Sequence, residues 1–151
     1  MADQLSRTTK RRLRRALRNF RRGRAQRLLS AATAASALPL GAEIYLNHYG
    51  GSFGNKWMWT PVVLSPLLAA AGVAGVVSAR AARTVLPAVS ALYLADGLGG
   101  MFFHLRGTAR KPGGFREPTY NLVMGPPAFA PGSLAMVGGI GLAAAVARRE
   151  R

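Results

Sequence analysis

Four side chains in this sequence combine acid–base or ligand chemistry with placement in or beside a long apolar run. Glu43 and His48 lie at the end of the first run, and Asp96 and His104 lie in the third. The chain has only two histidines and five acids in 151 residues. A carboxylate inside a membrane costs at least ~2.5 kcal/mol, so it is expected to face the protein interior and to have a partner. These four residues are therefore the candidate site.

Three kinds of chemistry fit these residue types. Two imidazoles on two helices can ligate haem b axially, with Arg106 or Arg110 neutralising the propionates. Two histidines and two carboxylates can instead bind a divalent metal. Histidine and acid groups near a membrane surface can also hydrogen-bond a quinone head group or relay protons. The sequence has no metal-site motif such as HExxH to select among these chemistries.

A fourth interpretation needs no ligand. Histidine fits an aromatic belt, in which amphipathic rings lie at the level of the lipid headgroups. Glu43 would then pair with an arginine, and Asp96 would cap or hydrogen-bond a neighbouring helix. The aromatic residues that gather near the two histidines are Tyr45, Tyr49, Phe53, Trp57, Trp59, Phe102, Phe103 and Tyr120.

Four long apolar runs, residues 28–46, 57–79, 84–105 and 121–147, must position these side chains. Each is about the 20 residues that a helix needs to cross a bilayer core of roughly 30 Å. Half of the chain is hydrophobic, yet its formal charge is +16 and its charges are segregated from the apolar runs. This pattern is typical of membrane proteins. It predicts an all-α integral membrane protein, an up-down bundle of four transmembrane helices formed by residues 28–151.

Small residues recur every four positions on two of the runs, at Ala71, Gly75 and Ala79 and at Ala135, Gly139, Ala143 and Ala147. Such spacing lets helix backbones approach closely in lipid, although a composition rich in Ala and Gly also produces it. Prolines interrupt the fourth run, so its crossing helix is expected to begin near Ala128.

Residues 1–27 form a separate basic region with eleven basic residues and one acid. Apolar residues recur there at helical spacing, which predicts a basic amphipathic helix. We expect this cytoplasmic arm to bind anionic lipid headgroups. The alternatives are a mitochondrial transit peptide or a signal peptide cleaved after Ala42. Nucleic acid is disfavoured, because no reading module is recognisable. The arginines predicted to face the membrane are Arg11, Arg12, Arg14, Arg15, Arg18, Arg21 and Arg22.

The distribution of lysine and arginine predicts the orientation. If the N-terminus is cytoplasmic, sixteen of the 21 basic residues lie on its side of the membrane. An excess of basic residues marks the cytoplasmic side, so both termini are expected inside. The heavy use of Ala, Gly and Arg is a hint of a bacterial source, and hence of a bacterial plasma membrane.

This topology brings both histidines to the outer leaflet. Glu43 would lie about 7 Å and Asp96 about 12 Å deeper than the histidine on the same helix. On an ideal helix Glu43 and His48 point about 140° apart, so the two share a face only if the helix bends or frays.

The predicted function is that of a small accessory or anchoring subunit of a larger membrane complex, because so small a chain has little room for catalytic machinery. An enzyme acting by itself is disfavoured for the same reason. The alternative is a redox subunit that binds haem b between His48 and His104, or a quinone at the outer leaflet through Glu43 and Asp96. A transporter or channel is a third hypothesis, although the runs hold few polar residues to line a pore.

Overall fold

Helices make up most of the described chain, and no β-strand occurs among the described residues. The structure is a computed structural model that describes residues 9, 14, 24–127, 129–147 and 149. Over this part of the chain the all-α prediction is confirmed.

Four long helices and two short ones follow one another along the described residues. The long helices are α1 (Arg24–Gly50), α2 (Thr60–Val77), α4 (Val85–Ala109) and α6 (Ala130–Val146). The short helices are α3 (Ala79–Arg83) and α5 (Pro118–Val123). The 3-10 helices Lys56–Trp59 and Gly114–Arg116 precede α2 and α5.

Proline and serine set several helix boundaries. A proline lies in the first turn of α2, α5 and α6, where its missing N–H removes no hydrogen bond from the helix. Ser78 is extended between α2 and α3, and its Oγ accepts a hydrogen bond of 3.2 Å from the Ala81 N–H. The last long helix begins at Ala130, two residues after the expected start near Ala128.

The four long helices pack in a ring in which sequence neighbours run antiparallel. Helix α1 packs against α2 and α6, and α4 packs against the same two helices. One end of the ring holds the turn 51–59 and the segment 110–127, and we call it the histidine end. The opposite end holds the start of α1, the short helix α3 and the end of α6, and we call it the arginine end.

Glycines let the helix backbones touch at two crossings. A Cβ atom added to Gly138 of α6 would lie 2.7 Å from both the Leu94 nitrogen and the Ser90 oxygen of α4. A Cβ atom added to Gly72 of α2 would lie 2.8 Å from the Ala34 nitrogen of α1. Both distances are inside van der Waals contact, so only glycine fits at these positions. Close approach of this kind is common where helices associate in lipid.

Of the small residues predicted to line the fourth run, which are Ala135, Gly139, Ala143 and Ala147, Ala147 is buried but Gly139 contacts no neighbouring helix. A Cβ atom at Gly139 would meet nothing within 4 Å, whereas Gly138 and Gly141 face α4. The run is so rich in Gly and Ala that two adjacent faces look alike in sequence. On α2 the prediction holds at Gly75, where an added Cβ atom would lie 2.9 Å from Ser30 Oγ.

Several polar side chains lie inside the bundle, beside a buried apolar core that includes Leu68, Leu86 and Tyr93. Ser30 and Thr33 are buried, and their hydroxyls donate to carbonyl oxygens one turn back in α1, at 2.8 and 2.9 Å. The other buried polar residues are Gln26, Ser65, Ser90, Thr108 and Asn121. Other large apolar side chains cover the outside of the long helices, among them Leu38, Leu46, Val63, Leu67, Val73, Leu92, Leu98, Phe102, Met136 and Val146.

Two helical segments, Lys56–Val77 and Val85–Ala109, are long and apolar enough to cross a membrane. Helix α1 is longer, at 27 residues, but less apolar. Helix α6 is apolar but has 17 residues. By length and composition, therefore, two of the four predicted spans qualify as membrane-crossing helices.

The glycine crossings predict opposite effects for two neighbouring substitutions. Gly138→Ala forces a methyl group into the α4 backbone, so we expect the free energy of unfolding to fall by about 1–3 kcal/mol. Gly139→Ala is the matched control, and its methyl group enters open space on a helix, where alanine is favoured over glycine by roughly 0.5–1 kcal/mol. Thermal unfolding of the detergent-purified protein measures both variants. Equal stability of the two variants would contradict the crossing.

Candidate functional site

A tight turn after α1 fixes the position of His48. Ser52 and Phe53 have positive φ angles of 56° and 46°, and the Phe53 N–H donates to the His48 carbonyl oxygen at 3.1 Å. The His48 imidazole lies across the turn, with Nδ1 2.8 Å from the Met58 carbonyl oxygen. Because a carbonyl oxygen only accepts hydrogen bonds, Nδ1 is the donor in this contact, and Nε2 is left for another partner.

Aromatic rings stabilise the same turn. Phe53 stacks on Trp59, with ring centroids 4.0 Å apart and planes 14° apart. Tyr45 contacts both rings, at centroid distances of 5.6 and 6.4 Å. These aromatic residues therefore pack on one another, as the aromatic-belt interpretation expects, and their clustering needs no ligand.

Thr60 and Asp96 form a polar contact between α2 and α4. The Thr60 hydroxyl donates to Asp96 Oδ1 at 2.5 Å and also lies 2.8 Å from the Trp57 carbonyl oxygen. Thr60 and Asp96 are both half-buried. One hydroxyl proton thus serves two acceptors, so the contact can take a further hydrogen-bond donor.

His48 brings the third helix to this contact. Its imidazole lies close enough to the Asp96 carboxyl group for the two to interact electrostatically. We call His48, Thr60 and Asp96 the polar cluster. It joins α1, α2 and α4 at the histidine end of the bundle.

A second polar pair lies about one turn deeper on the same two helices. The Ser65 hydroxyl donates to the Pro61 carbonyl oxygen at 2.7 Å, so its contact with Tyr93 Oη, at 3.0 Å, has the tyrosine as donor. Both side chains are fully buried. The Asp96 carboxyl group also acts electrostatically on Tyr93. Polar groups therefore continue from the polar cluster into the interior of the bundle.

The other two members of the predicted site lie apart from the polar cluster. Glu43 is exposed, and its Oε1 accepts a hydrogen bond of 3.0 Å from Asn47 Nδ2 on the same helix. Helix α1 continues to Gly50, so Glu43 and His48 stay on different faces. His104 lies two turns beyond Asp96, about 12 Å along α4, and its Nδ1 donates to the Pro127 carbonyl oxygen at 2.9 Å.

The predicted basic residues lie elsewhere. Arg106 and Arg110 are exposed near the end of α4. Of the arginines predicted for the membrane-surface arm, Arg14 is helical and exposed, and the other six lie outside the described residues. Helix α1 already includes Gln26 and Arg27, so the last residues of the predicted arm belong to the bundle.

Sequence reasoning missed Thr60, Ser65 and Tyr93. Burial of threonine or serine in an apolar helix has a low free-energy cost, because their hydroxyls can bond to the backbone of the same helix. Neither residue therefore stands out in the sequence as Asp96 does. A usable signal was the spacing of Tyr93 and Asp96, three residues apart and therefore on one face of a helix.

The polar cluster is suited to hydrogen bonding with a ligand. Among the described residues no group of three or more histidine, aspartate or glutamate side chains could hold a metal ion. The two histidines bond to carbonyl groups of different connecting segments. The polar cluster instead offers a carboxyl group, a hydroxyl group and an imidazole at one place, which suits a small ligand with its own hydroxyl or carbonyl groups.

Comparison with known proteins gives no match: no protein-family model, curated protein or solved structure matches this chain. Neither a family nor a relative therefore assigns a role to His48, Thr60 or Asp96.

The contact between Thr60 and Asp96 predicts a stability difference between two hydrogen-bond deletions. Thr60→Val keeps the shape of the side chain but removes the donor from a half-buried carboxyl group, so we expect a loss of about 1–3 kcal/mol in the free energy of unfolding. Asn47→Ala, the control, removes the donor from exposed Glu43 and should cost less than about 0.5 kcal/mol. Unfolding in detergent measures both, and a Thr60→Val variant as stable as the control would show that the contact contributes little.

Proposed function

We propose that this chain is a four-span integral membrane protein that acts as an accessory or anchoring subunit of a larger membrane complex. The observation that carries the proposal is the large number of apolar side chains exposed on the outside of the long helices, while several polar side chains are buried inside. Water-soluble monomers rarely expose contiguous apolar patches larger than a few hundred Å². A lipid environment removes that cost.

The helix lengths support four spans. At 1.5 Å per residue, the 27 residues of α1 measure about 40 Å and the 17 residues of α6 about 26 Å. A tilted α1 can match a hydrocarbon core of roughly 30 Å, and a short α6 can be accommodated by slight thinning of the bilayer. Helix α1 packs against the candidate span α2, and α6 packs against the candidate span α4, so all four would occupy the same layer.

The charge distribution supports an orientation with both termini in the cytoplasm. Arg27, Arg80, Arg83 and Arg149 lie at the arginine end, while the described acids lie toward the histidine end. Basic residues concentrate on the cytoplasmic side of membrane proteins. The proposed location is a bacterial plasma membrane, with the basic arm on anionic lipid headgroups.

The segment 110–129 supports a role as a subunit. It exposes several large apolar side chains beyond the long helices, with Phe129 80% and Val123 74% exposed. Tyr120, Met124 and Phe115 are exposed in the same segment. The segment also holds three basic residues and one acid, so the proposed partner presents an apolar patch edged by acidic groups on the outer side.

Cysteine labelling tests the four spans and the orientation. The chain has no cysteine, so single replacements give clean reporters. We expect a membrane-impermeant maleimide to label Gly54→Cys, in the turn after α1, in intact cells. Ala79→Cys, at the start of α3, should react only after permeabilisation. The protein should also stay in the membrane during an alkaline carbonate wash. Release by that wash, or equal labelling of both positions in intact cells, would contradict the proposal.

Purification in mild detergent tests the subunit role. We expect a second polypeptide in stoichiometric amount, because the apolar segment 110–129 is left uncovered by this chain. The variant with Val123→Ser and Phe129→Ser should lose that polypeptide. The matched control, with Val73→Ser and Val77→Ser on the outside of α2, should retain it. A chain that elutes alone at every detergent concentration would exclude a stable subunit role.

A second candidate function is a quinone site, and the polar cluster favours it. Thr60 and Asp96 together can take a further hydrogen-bond donor, as a quinol hydroxyl would supply, and His48 Nε2 can form another hydrogen bond. The quinone version thus uses Asp96 but not Glu43, which lies apart. The haem b version needs Nε2 of both His48 and His104 on one iron. It has less support because His104 lies about 12 Å along α4 from Asp96, the residue near His48.

The same detergent preparation separates these versions. A quinone in the lipid extract that disappears in Asp96→Asn, but stays in Glu43→Gln, would support the quinone site. A Soret absorption band lost in both His48→Ala and His104→Ala would support haem instead. A colourless preparation without quinone would leave the subunit role as the better proposal.

A further inference from the structure

The arginine end of the bundle is closed by side chains that bond to helix C-termini. Gln26 Nε2 of α1 donates to the carbonyl oxygens of Ala144 and Ala147, at 3.1 and 3.2 Å. The Arg149 guanidinium donates to the carbonyl oxygens of Gly75 and Val76, at 2.9 and 2.6 Å. These contacts join the segment after α6 to the start of α1 and to the end of α2.

Three guanidinium groups from three segments converge at this end. Arg27 follows Gln26 on α1, Arg83 ends the short helix α3, and Arg149 is held on the end of α2. Helix α3 also contacts both α2 and α6. Desolvation, and then the positive charges of Arg27 and Arg83, lower the pKa of Arg149, so Arg27 and Arg83 each lie within electrostatic range of the Arg149 guanidinium.

This grouping has no described carboxylate to balance it. The acids in the described part of the chain are Glu43, Asp96 and Glu117, and all three lie toward the opposite end. Arg27 and Arg83 are exposed, and the Arg149 guanidinium has further N–H donors beyond the two that reach carbonyl groups. Arginine is well suited to phosphate, because its planar group can donate two parallel hydrogen bonds.

We propose that Arg27, Arg83 and Arg149 form a binding site for the phosphate of an anionic lipid headgroup in the inner leaflet. The site is distinct from the basic arm, because it is built by the folded bundle and joins α1, α3 and the segment after α6. A bound phosphate would relieve the repulsion among the three arginines and hold these segments together. The choice of lipid as the source rests on the membrane insertion proposed above, whereas the phosphate chemistry does not.

Lipid titration of the detergent-purified full chain tests the site. Phosphatidylglycerol and phosphatidylcholine are added separately, and native mass spectrometry counts the bound lipids. We expect the wild-type chain to prefer phosphatidylglycerol. The variant with Arg27→Gln and Arg83→Gln should bind this lipid with an affinity lower by about tenfold or more. Arg149 is left intact, because it also caps α2 and its replacement would disturb the fold.

The matched control removes the same number of charges at the opposite end, through Arg106→Gln and Arg110→Gln. It keeps the basic arm and the arginine end, so its affinity for phosphatidylglycerol should equal that of the wild type. Equal loss in both variants, or no loss in the first, would overturn the site. Saturation by millimolar inorganic phosphate with no preference for phosphatidylglycerol would overturn the lipid source. Cysteine labelling tests membrane insertion separately, so a failure of the phosphate site can be distinguished from a failure of membrane insertion.

Discussion

Contact between helix backbones through glycine is the constraint on which the rest of the bundle depends. Where Gly72 and Gly138 let main chains touch, no room is left for a layer of large side chains between the helices. The interior therefore holds many glycine, alanine, serine and threonine residues beside Leu68, Leu86 and Tyr93, and other large apolar side chains lie outside. Close helix spacing of this kind is typical of helices that associate in lipid, where packing rather than exclusion of water holds the helices together.

A narrow interior also limits how buried polar groups find partners. Short hydroxyl side chains bond within their own helix, as Ser30 and Thr33 do, and so need no partner across the bundle. Longer polar groups must reach a neighbouring helix, as Tyr93 reaches Ser65 and as Thr60 reaches Asp96. Polar contacts between helices are therefore found at both ends of the bundle, from Gln26 to α6 at the arginine end and from Thr60 to Asp96 at the histidine end.

Local patterns predicted the helices well and the contacts between them poorly. The apolar runs locate all four long helices, but α1 extends past both ends of its run, because backbone hydrogen bonding continues through Arg24 and Gly50. Asp96 was identifiable because a carboxylate in an apolar run is costly. Its contact with Thr60 was not, because the rotation of one helix against another is set by packing, which a composition rich in Gly and Ala leaves ambiguous. For the same reason, Gly139 was predicted to face a neighbouring helix, whereas Gly138 does so.

The bond from Gln26 to the end of α6 links the start of the bundle to its finish, across 118 residues of sequence. During synthesis, the fully buried amide of Gln26 therefore has neither of these acceptors until α6 has been made. Without α6 this amide would lose both acceptors, and a buried amide without a partner costs several kcal/mol. Closure of the ring at the arginine end therefore depends on the docking of α6 against α1.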